Sequence, residues 1–204
     1  MVELSDGVVR LAPPVEADIP AITAACQDPQ ISRWTTVPSP YTREHGEAFV
    51  NEMVADGWRA WFEGGEAAKA IWALHTDDGF AGMLGLHFEP VRSADVGFWV
   101  AAPARGKGLL HRGMLLALQW AFDAPDGPHL DRVAWRALAG NWPSWRAAWK
   151  VGFQFTGVDR LGGVQHDFRR DQWMATLLRD EPRRPVAEWP ATSVVGPRPS
   201  HPMD

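Results

Sequence analysis

The sequence predicts an α/β (α+β) fold, a single domain built on a mixed central sheet of about six to seven strands flanked by helices. Three observations carry this prediction. Residues from Asp95 to Phe122 read as a strand, a glycine-rich turn and a long apolar-faced helix. Upstream, two strand-like runs, 68–75 and 80–88, flank Asp77-Asp78-Gly79, a tight turn of the hairpin type. Downstream, strand-like runs at 132–137, 153–159 and 172–178 follow the helix, with a short helical segment between the first two.

Taken in order, Val8-Val9-Arg10-Leu11 is a short first strand, ended by Pro13 and Pro14. Glu16 and Asp18 place acids at the positive end of a first helix that runs through Ile19 and Ile22 to Cys26. Residues Ile31 to Pro40 read as a loop, broken by Pro38 and Pro40. Thr42 is the N-cap expected for a second helix, with His45 three positions on, Phe49, Val50 and Met53 as its buried side, and Asp56-Gly57 as its stop. After the first hairpin comes a turn at Glu89–Ser93. Val96, Phe98 and Val100 then alternate with Asp95, Gly97 and Trp99, the period of a strand. Pro103 ends it, having no N–H to donate. In the helix 106–123, Leu109, Leu110, Met114, Leu115, Leu118 and Phe122 recur at helical spacing. Asn141 is placed to cap a short helix starting near Pro143, and Gly152 to terminate it. The domain is expected to span 1–180. The remainder, 181–204, carries Pro182, Pro185, Pro190, Pro197, Pro199 and Pro202. Such a tail is either unstructured or wrapped on the domain through Val186 and Trp189.

Bulk properties narrow the function. The chain has 204 residues, 46% of them hydrophobic, enough for a true core. Its net charge of −5 argues against a nucleic-acid partner. One cysteine, Cys26, excludes an internal disulfide and argues against a cysteine-built metal site. It reads as a small buried residue rather than a reactive thiol. No apolar run approaches the roughly 20 residues that span a bilayer, and no signal segment opens the chain. A cytoplasmic protein without membrane attachment is expected. Twelve tryptophans stand against one tyrosine; most are expected in the core or at interfaces.

The turn Arg105-Gly106-Lys107-Gly108 carries a chemical signal of its own. The first amides of a helix lack partners and sit at the positive end of its dipole, which favours an anion. Two glycines let an anion approach the backbone, while Arg105 and Lys107 add charge. Neither the dinucleotide fingerprint nor the nucleotide P-loop pattern is matched. A plain helix start with a glycine turn is the alternative reading of these residues alone.

The strand, Pro103-Ala104-Arg105-Gly106-Lys107-Gly108 and helix resemble the acyl-CoA pyrophosphate loop, Q/R-x-x-G-x-G/A, of the GNAT family of N-acetyltransferases. Where that loop ends on Gly or Ala, this chain has Leu110. A second segment, from Asn141 through Ser144 to Lys150, Gly152 and Phe153, resembles the family's N-x-x-S…K-x-G-F pattern. It is most similar to the ribosomal-protein N-terminal acetyltransferase (RimJ/RimL-like) branch. The resemblance covers roughly residues 7 to 180.

The resemblance implies a sheet splayed at an acyl-CoA site, with acetyl-CoA or another acyl-CoA as co-substrate and no metal. The strand at Trp99, Val100 and Ala101 would pair with pantetheine, its amides stabilising the tetrahedral oxyanion. Arg105, Gly106, Lys107, Gly108, Leu109 and Leu110 would hold the pyrophosphate. Asn141 would contact the pantetheine arm, and Ser144 would protonate the leaving thiolate. For Asn141 and Ser144 taken alone, helix capping is the competing reading. The first two helices would flank the acceptor pocket, with Trp34, Tyr41, Trp58 and Trp61 as lining candidates against plain packing. If the turn at 89–93 centres on Val91, His87 lies opposite Asp95 and Gly85 opposite Gly97. A carboxylate facing an imidazole raises the histidine pKa, and the pair could relay the amine proton; a surface ion pair is the alternative. His75, His111 and His166 have weaker claims. The expected activity is acyl transfer to a small amine or a peptide N-terminus, in a homodimer. A non-catalytic acyl-CoA or ligand-binding module of the same fold is the alternative. A kinase-like reading of the turn lacks a hydroxyl after Lys107 and an acidic pair for magnesium.

Overall fold

A computed structural model describes residues 1–65, 67–165 and 167–189. His166, Pro190, Pro197, Pro199 and Pro202 lie outside the described residues. Among those described, eight strands form one sheet in the order β1-β2-β3-β4-β5-β6-β8-β7, one or two more than expected. They are β1 Leu4–Ser5, β2 Arg10–Ala12, β3 Lys69–Thr76, β4 Gly79–Glu89, β5 Ser93–Val100, β6 Arg132–Leu138, β7 Gln154–Gln165 and β8 Phe168–Leu178. All neighbours are antiparallel except β5 and β6, which α5 (Leu109–Asp123) connects. The other helices are α1 Ile19–Ala25, α2 Pro29–Trp34, α3 Arg43–Ala48, α4 Ala55–Glu63 and α6 Trp142–Lys150.

Strand alternation sorts β3 and β4 into two faces. Leu74 and Leu84 meet α5 at Gly113, where a Cβ would lie 3.1 Å from Leu74. The opposite face carries Ile71, Met83, Gly85 and His87, in register with Gly97 and Trp99 of β5.

Three stretches depart from the expected elements. Residues 29–34, which run into the start of the expected loop, form α2, because the Asp28 carboxylate accepts the Gln30 N–H (2.9 Å) and Pro29 sits in the first turn. Asp56-Gly57 does not stop the second helix. A π-helical turn, Phe49–Val54, joins α3 to α4, and the helix ends only at Gly64 in the left-handed conformation. Gly57 is needed for contact instead, since a Cβ there would meet the Lys69 Cβ at 2.8 Å. Val50 is buried as expected and Val54 joins it, while Met53 is 48% exposed. Finally, β7 and β8 extend past 159 and before 172 as a long hairpin.

The described part of the tail is packed. The Arg183 guanidinium lies 4.3 Å over the Phe122 ring, and Trp189 stacks near Trp145 and meets Trp149 edge-on at 5.1 Å. Trp149 donates its indole N–H to the Ala187 carbonyl (3.0 Å). Gly152, at φ 102, leaves room for the Pro182 carbonyl. Truncation after Asp180 is therefore expected to lower the melting temperature by roughly 5 °C, from about 2 kcal/mol of lost burial. Acetyl-CoA binding should persist. An unchanged melting temperature in calorimetry would show that this packing contributes nothing.

Candidate active site

A single cavity of about 1250 Å³ runs from the Arg105–Leu110 turn, past β5 and the start of α6, to α2 and α3. It exists because the sheet opens. β5 and β6 stay in register only as far as Val96 and Trp135. On the other side, β5 remains paired with β4 through Val100, and the Ala101 N–H donates to the Ala81 carbonyl (2.9 Å). Antiparallel pairing alternates, so Trp99 and Gly97 exchange bonds with β4, while the peptide groups of Phe98 and Val100 face away from it into the opening.

The turn has the expected shape. Gly106 and Gly108 both sit at φ 76, and nothing lies within 4 Å of where a Cβ would stand. Helical bonding starts with the Arg112 N–H donating to the Gly108 carbonyl (3.3 Å), so the amides of Leu109, Leu110 and His111 have no acceptor in the helix. The side chains differ from expectation. Arg105 donates to the Asp28 carboxylate (2.6 Å) and to the Val100 carbonyl (3.0 Å), bracing the turn against α2. Asp28 is held below the ordinary carboxylate range by the Gln30 N–H, with Arg105 adding to it. Lys107 is exposed and is not on the cavity wall, and Ala101 is buried with its N–H already used, so neither reaches the cavity. Leu109 and Leu110 do line it. Burial, Lys150 and Arg112 push His111 below its ordinary value, so it adds no charge to answer an anion at neutral pH.

At the start of α6, Asn141 caps the helix, its side-chain oxygen accepting the Ser144 N–H (3.2 Å). The Ser144 hydroxyl is not a cap. It accepts a hydrogen bond from the Trp135 indole N–H (3.0 Å), and all three residues line the cavity. The Trp135 contact was not legible in the sequence, because nothing in β6 announces which way its indole turns.

On the acceptor side, Trp34 and Tyr41 line the cavity. Trp34 is flanked by the guanidinium groups of Arg33 and Arg170 at 5.1 and 5.6 Å. Burial, then Cys26, pushes the Tyr41 hydroxyl up to about 12, so it stays protonated. Burial likewise pushes the Cys26 thiol up to about 12, which keeps it inert. Trp58 is not at the cavity. It is 1% exposed, packs on Trp72 at 5.4 Å and donates to the Ile71 carbonyl (3.1 Å). Trp61 stacks on Phe88 at 4.6 Å in the same aromatic cluster. The wall instead includes His45, Phe49, Glu52 and Asp56, whose three- and four-residue spacing is the legible mark of one helix face. Facing glycines, Gly85 and Gly97, leave the floor between them without side chains.

His87 and Asp95 are opposite each other, as the turn about Val91 requires. They do not pair. The Asp95 carboxylate forms an ion pair with Arg136 of β6, which also reaches Glu89 at 3.4 Å. His87 lines the cavity and stays solvent-exposed, with Lys69 as its other cross-strand neighbour. The surrounding walls, and then Lys69, push its pKa below the ordinary histidine value, the reverse of the expected direction. Asp95 is not on the cavity wall. His75 also lies off the cavity, 3.5 Å from Asp18. Among the described residues, no group of three or more His, Cys, Asp or Glu is placed to hold a metal ion. Nor is any helix among them long and apolar enough to cross a membrane.

Comparison with known proteins agrees with this geometry. YdaF of Bacillus subtilis (strain 168), assigned provisionally by name as a ribosomal N-acetyltransferase, is 29% identical over 132 residues, 64% of this chain and 69% of its own length. The ribosomal alpha-N-protein acetyltransferase RimL, solved with coenzyme A, superposes with a TM-score of 0.74 at 15% identity, covering 88% of this chain and 99% of its own. Mycobacterium smegmatis RimJ, solved with a CoA disulfide, gives 0.71 at 22% identity, covering 87% and 86%. Residues 9–154 match the model of the acetyltransferase (GNAT) domain, and the chain belongs to that family.

Proposed function

We propose that this protein transfers the acetyl group of acetyl-CoA to the α-amine of a protein N-terminus by direct attack. The observation that carries the reading is the opening of the sheet after Val96 and Trp135, which turns the Phe98 N–H and carbonyl and the Val100 N–H into a cavity that begins at an anion-ready turn. Pantetheine would lie along those peptide groups, the pyrophosphate at 106–110, and the thioester carbonyl at the Val100 N–H. As the amine nitrogen bonds to the carbonyl carbon and the C–S bond breaks, the amine proton leaves toward His87, directly or through water. Ser144 gives its proton to the departing sulfur and takes one back from solvent water, to which His87 releases the amine proton. His87 suits its part because its depressed pKa keeps it neutral at physiological pH. Asp95, fixed to Arg136, would only hold the sheet floor in place.

The choice of a protein N-terminus is supported by the names of RimL, an alpha-N-protein acetyltransferase, and YdaF, a ribosomal N-acetyltransferase by name, and by a cavity that extends to α2 and α3. The reading includes a cytoplasmic location and a homodimer, which sedimentation checks. The acceptor class is tested by CoA thiol release with a peptide, the same peptide blocked at its N-terminus, and small amines. Release with the open peptide alone is expected. Equal release with small amines would move the acceptor to that class.

The depressed His87 pKa gives a pH prediction. A base must be deprotonated to act, so a lowered pKa extends activity toward acid. Lys69→Met removes one cause of the lowering, and the acid limb of kcat/KM should then move to higher pH. A limb unmoved by Lys69→Met and by His87→Gln would remove His87 from the relay.

A further inference from the structure

We propose that Trp135 is a positioning residue for leaving-group protonation: its indole N–H holds the Ser144 oxygen as an acceptor, so that the serine's own proton is committed to the thioester sulfur. The inference rests on the acyl-transfer reading above. Three features of the site carry it.

The first is where Trp135 stands. It is the last residue of β6 in register with β5, at the rung where the sheet opens. It is 1% exposed and its ring packs on Trp145 of α6 at 5.3 Å, so the indole has little freedom to turn. The second is the double tether on Ser144. Asn141 fixes its backbone through the N–H (3.2 Å), and Trp135 fixes its hydroxyl oxygen (3.0 Å). The third is chemical. A serine hydroxyl has one proton and two lone pairs, and an indole N–H can only donate. A neighbour such as Asn, Gln or His could accept the serine proton and draw it away from the sulfur. Tryptophan cannot, so the contact leaves the proton for a ligand in the cavity. A hydroxyl that receives a hydrogen bond is also a somewhat stronger donor.

The test compares wild type, Trp135→Phe, Ser144→Ala and the double variant. Trp135→Phe is expected to lower kcat by roughly tenfold, with the KM for acetyl-CoA changed by less than about twofold. The double variant should be no slower than Ser144→Ala, since both act on one proton. A structural role would not alter a second readout, the affinity of CoA relative to desulfo-CoA as pH rises. Wild type should increasingly favour CoA as its thiol ionises, and both single variants should lose that preference. Should Trp135→Phe fold poorly, benzothienylalanine at 135 keeps the ring shape without the N–H and should behave as the Phe variant is expected to. A wild-type rate with either replacement, or losses that multiply in the double variant, overturns the proposal. If Ser144→Ala itself turns over normally, the Ser144 assignment falls and Trp135 with it. If Ser144→Ala is slow and the Trp135 variants are not, only the present inference fails.

Discussion

Gly108→Val should abolish the thermal stabilisation that acetyl-CoA gives the wild-type protein. A ligand at a hundred times its dissociation constant stabilises the folded state by about 2.7 kcal/mol, or roughly 5–10 °C for a domain of this size. The pyrophosphate would draw on the unpartnered amides at the start of α5 and on the space above two glycines. Gly108 sits at φ 76 as the N-cap of that helix. A β-branched residue is strained there and would put two methyl groups where the anion belongs. The variant itself should melt only a few degrees lower, because no neighbour lies within 4 Å of the new Cβ. Its response to acetyl-CoA should be close to zero. If Gly108→Val is stabilised as wild type is, the pyrophosphate lies elsewhere.

Ser144→Ala should lower kcat by roughly a hundredfold, the usual scale for losing a positioned proton donor. The KM for acetyl-CoA should change little, because the thiolate develops only as the C–S bond breaks. The variant should also melt lower, by the equivalent of about 1–3 kcal/mol, since it leaves the buried Trp135 N–H without its acceptor. Loss of stability therefore does not distinguish a catalytic from a structural serine; turnover does. Wild-type turnover in a protein with a lowered melting temperature would reduce Ser144 to a partner for Trp135.

Much of this site was legible in the sequence because its signals are local. The β5 alternation, the two turn glycines, the Thr42 and Asn141 caps and the register about Val91 each depend on a few consecutive residues. What was missed depends on distant contacts. Gly57 reads as a helix stop, yet Lys69 demands its lack of a side chain inside a continuing helix. The turn of α2 has its cap, Asp28, and its Pro29, but a six-residue helix beside Pro38 and Pro40 is too short for periodicity to reveal. Register alone put Asp95 opposite His87, but Arg136 on β6 decides where the carboxylate points. Arg105 turns to Asp28 for the same reason, since α2 packs beside a turn 77 positions later in the chain. Trp58 and Trp34 are equally suggestive in sequence. Only the path of the helices sends one to the core and the other to the cavity.

The claim that organises this account is that the β5–β6 opening is the acyl-donor site. A crystal structure of the complex with acetyl-CoA tests it most directly. The account predicts pantetheine paired with the Phe98 N–H and carbonyl and the Val100 N–H, the pyrophosphate on the amides following Gly106, and the thioester sulfur within hydrogen-bond reach of Ser144. Acetyl-CoA bound with its pyrophosphate away from that turn, or with the opening between Val96 and Trp135 closed and unused, would contradict it.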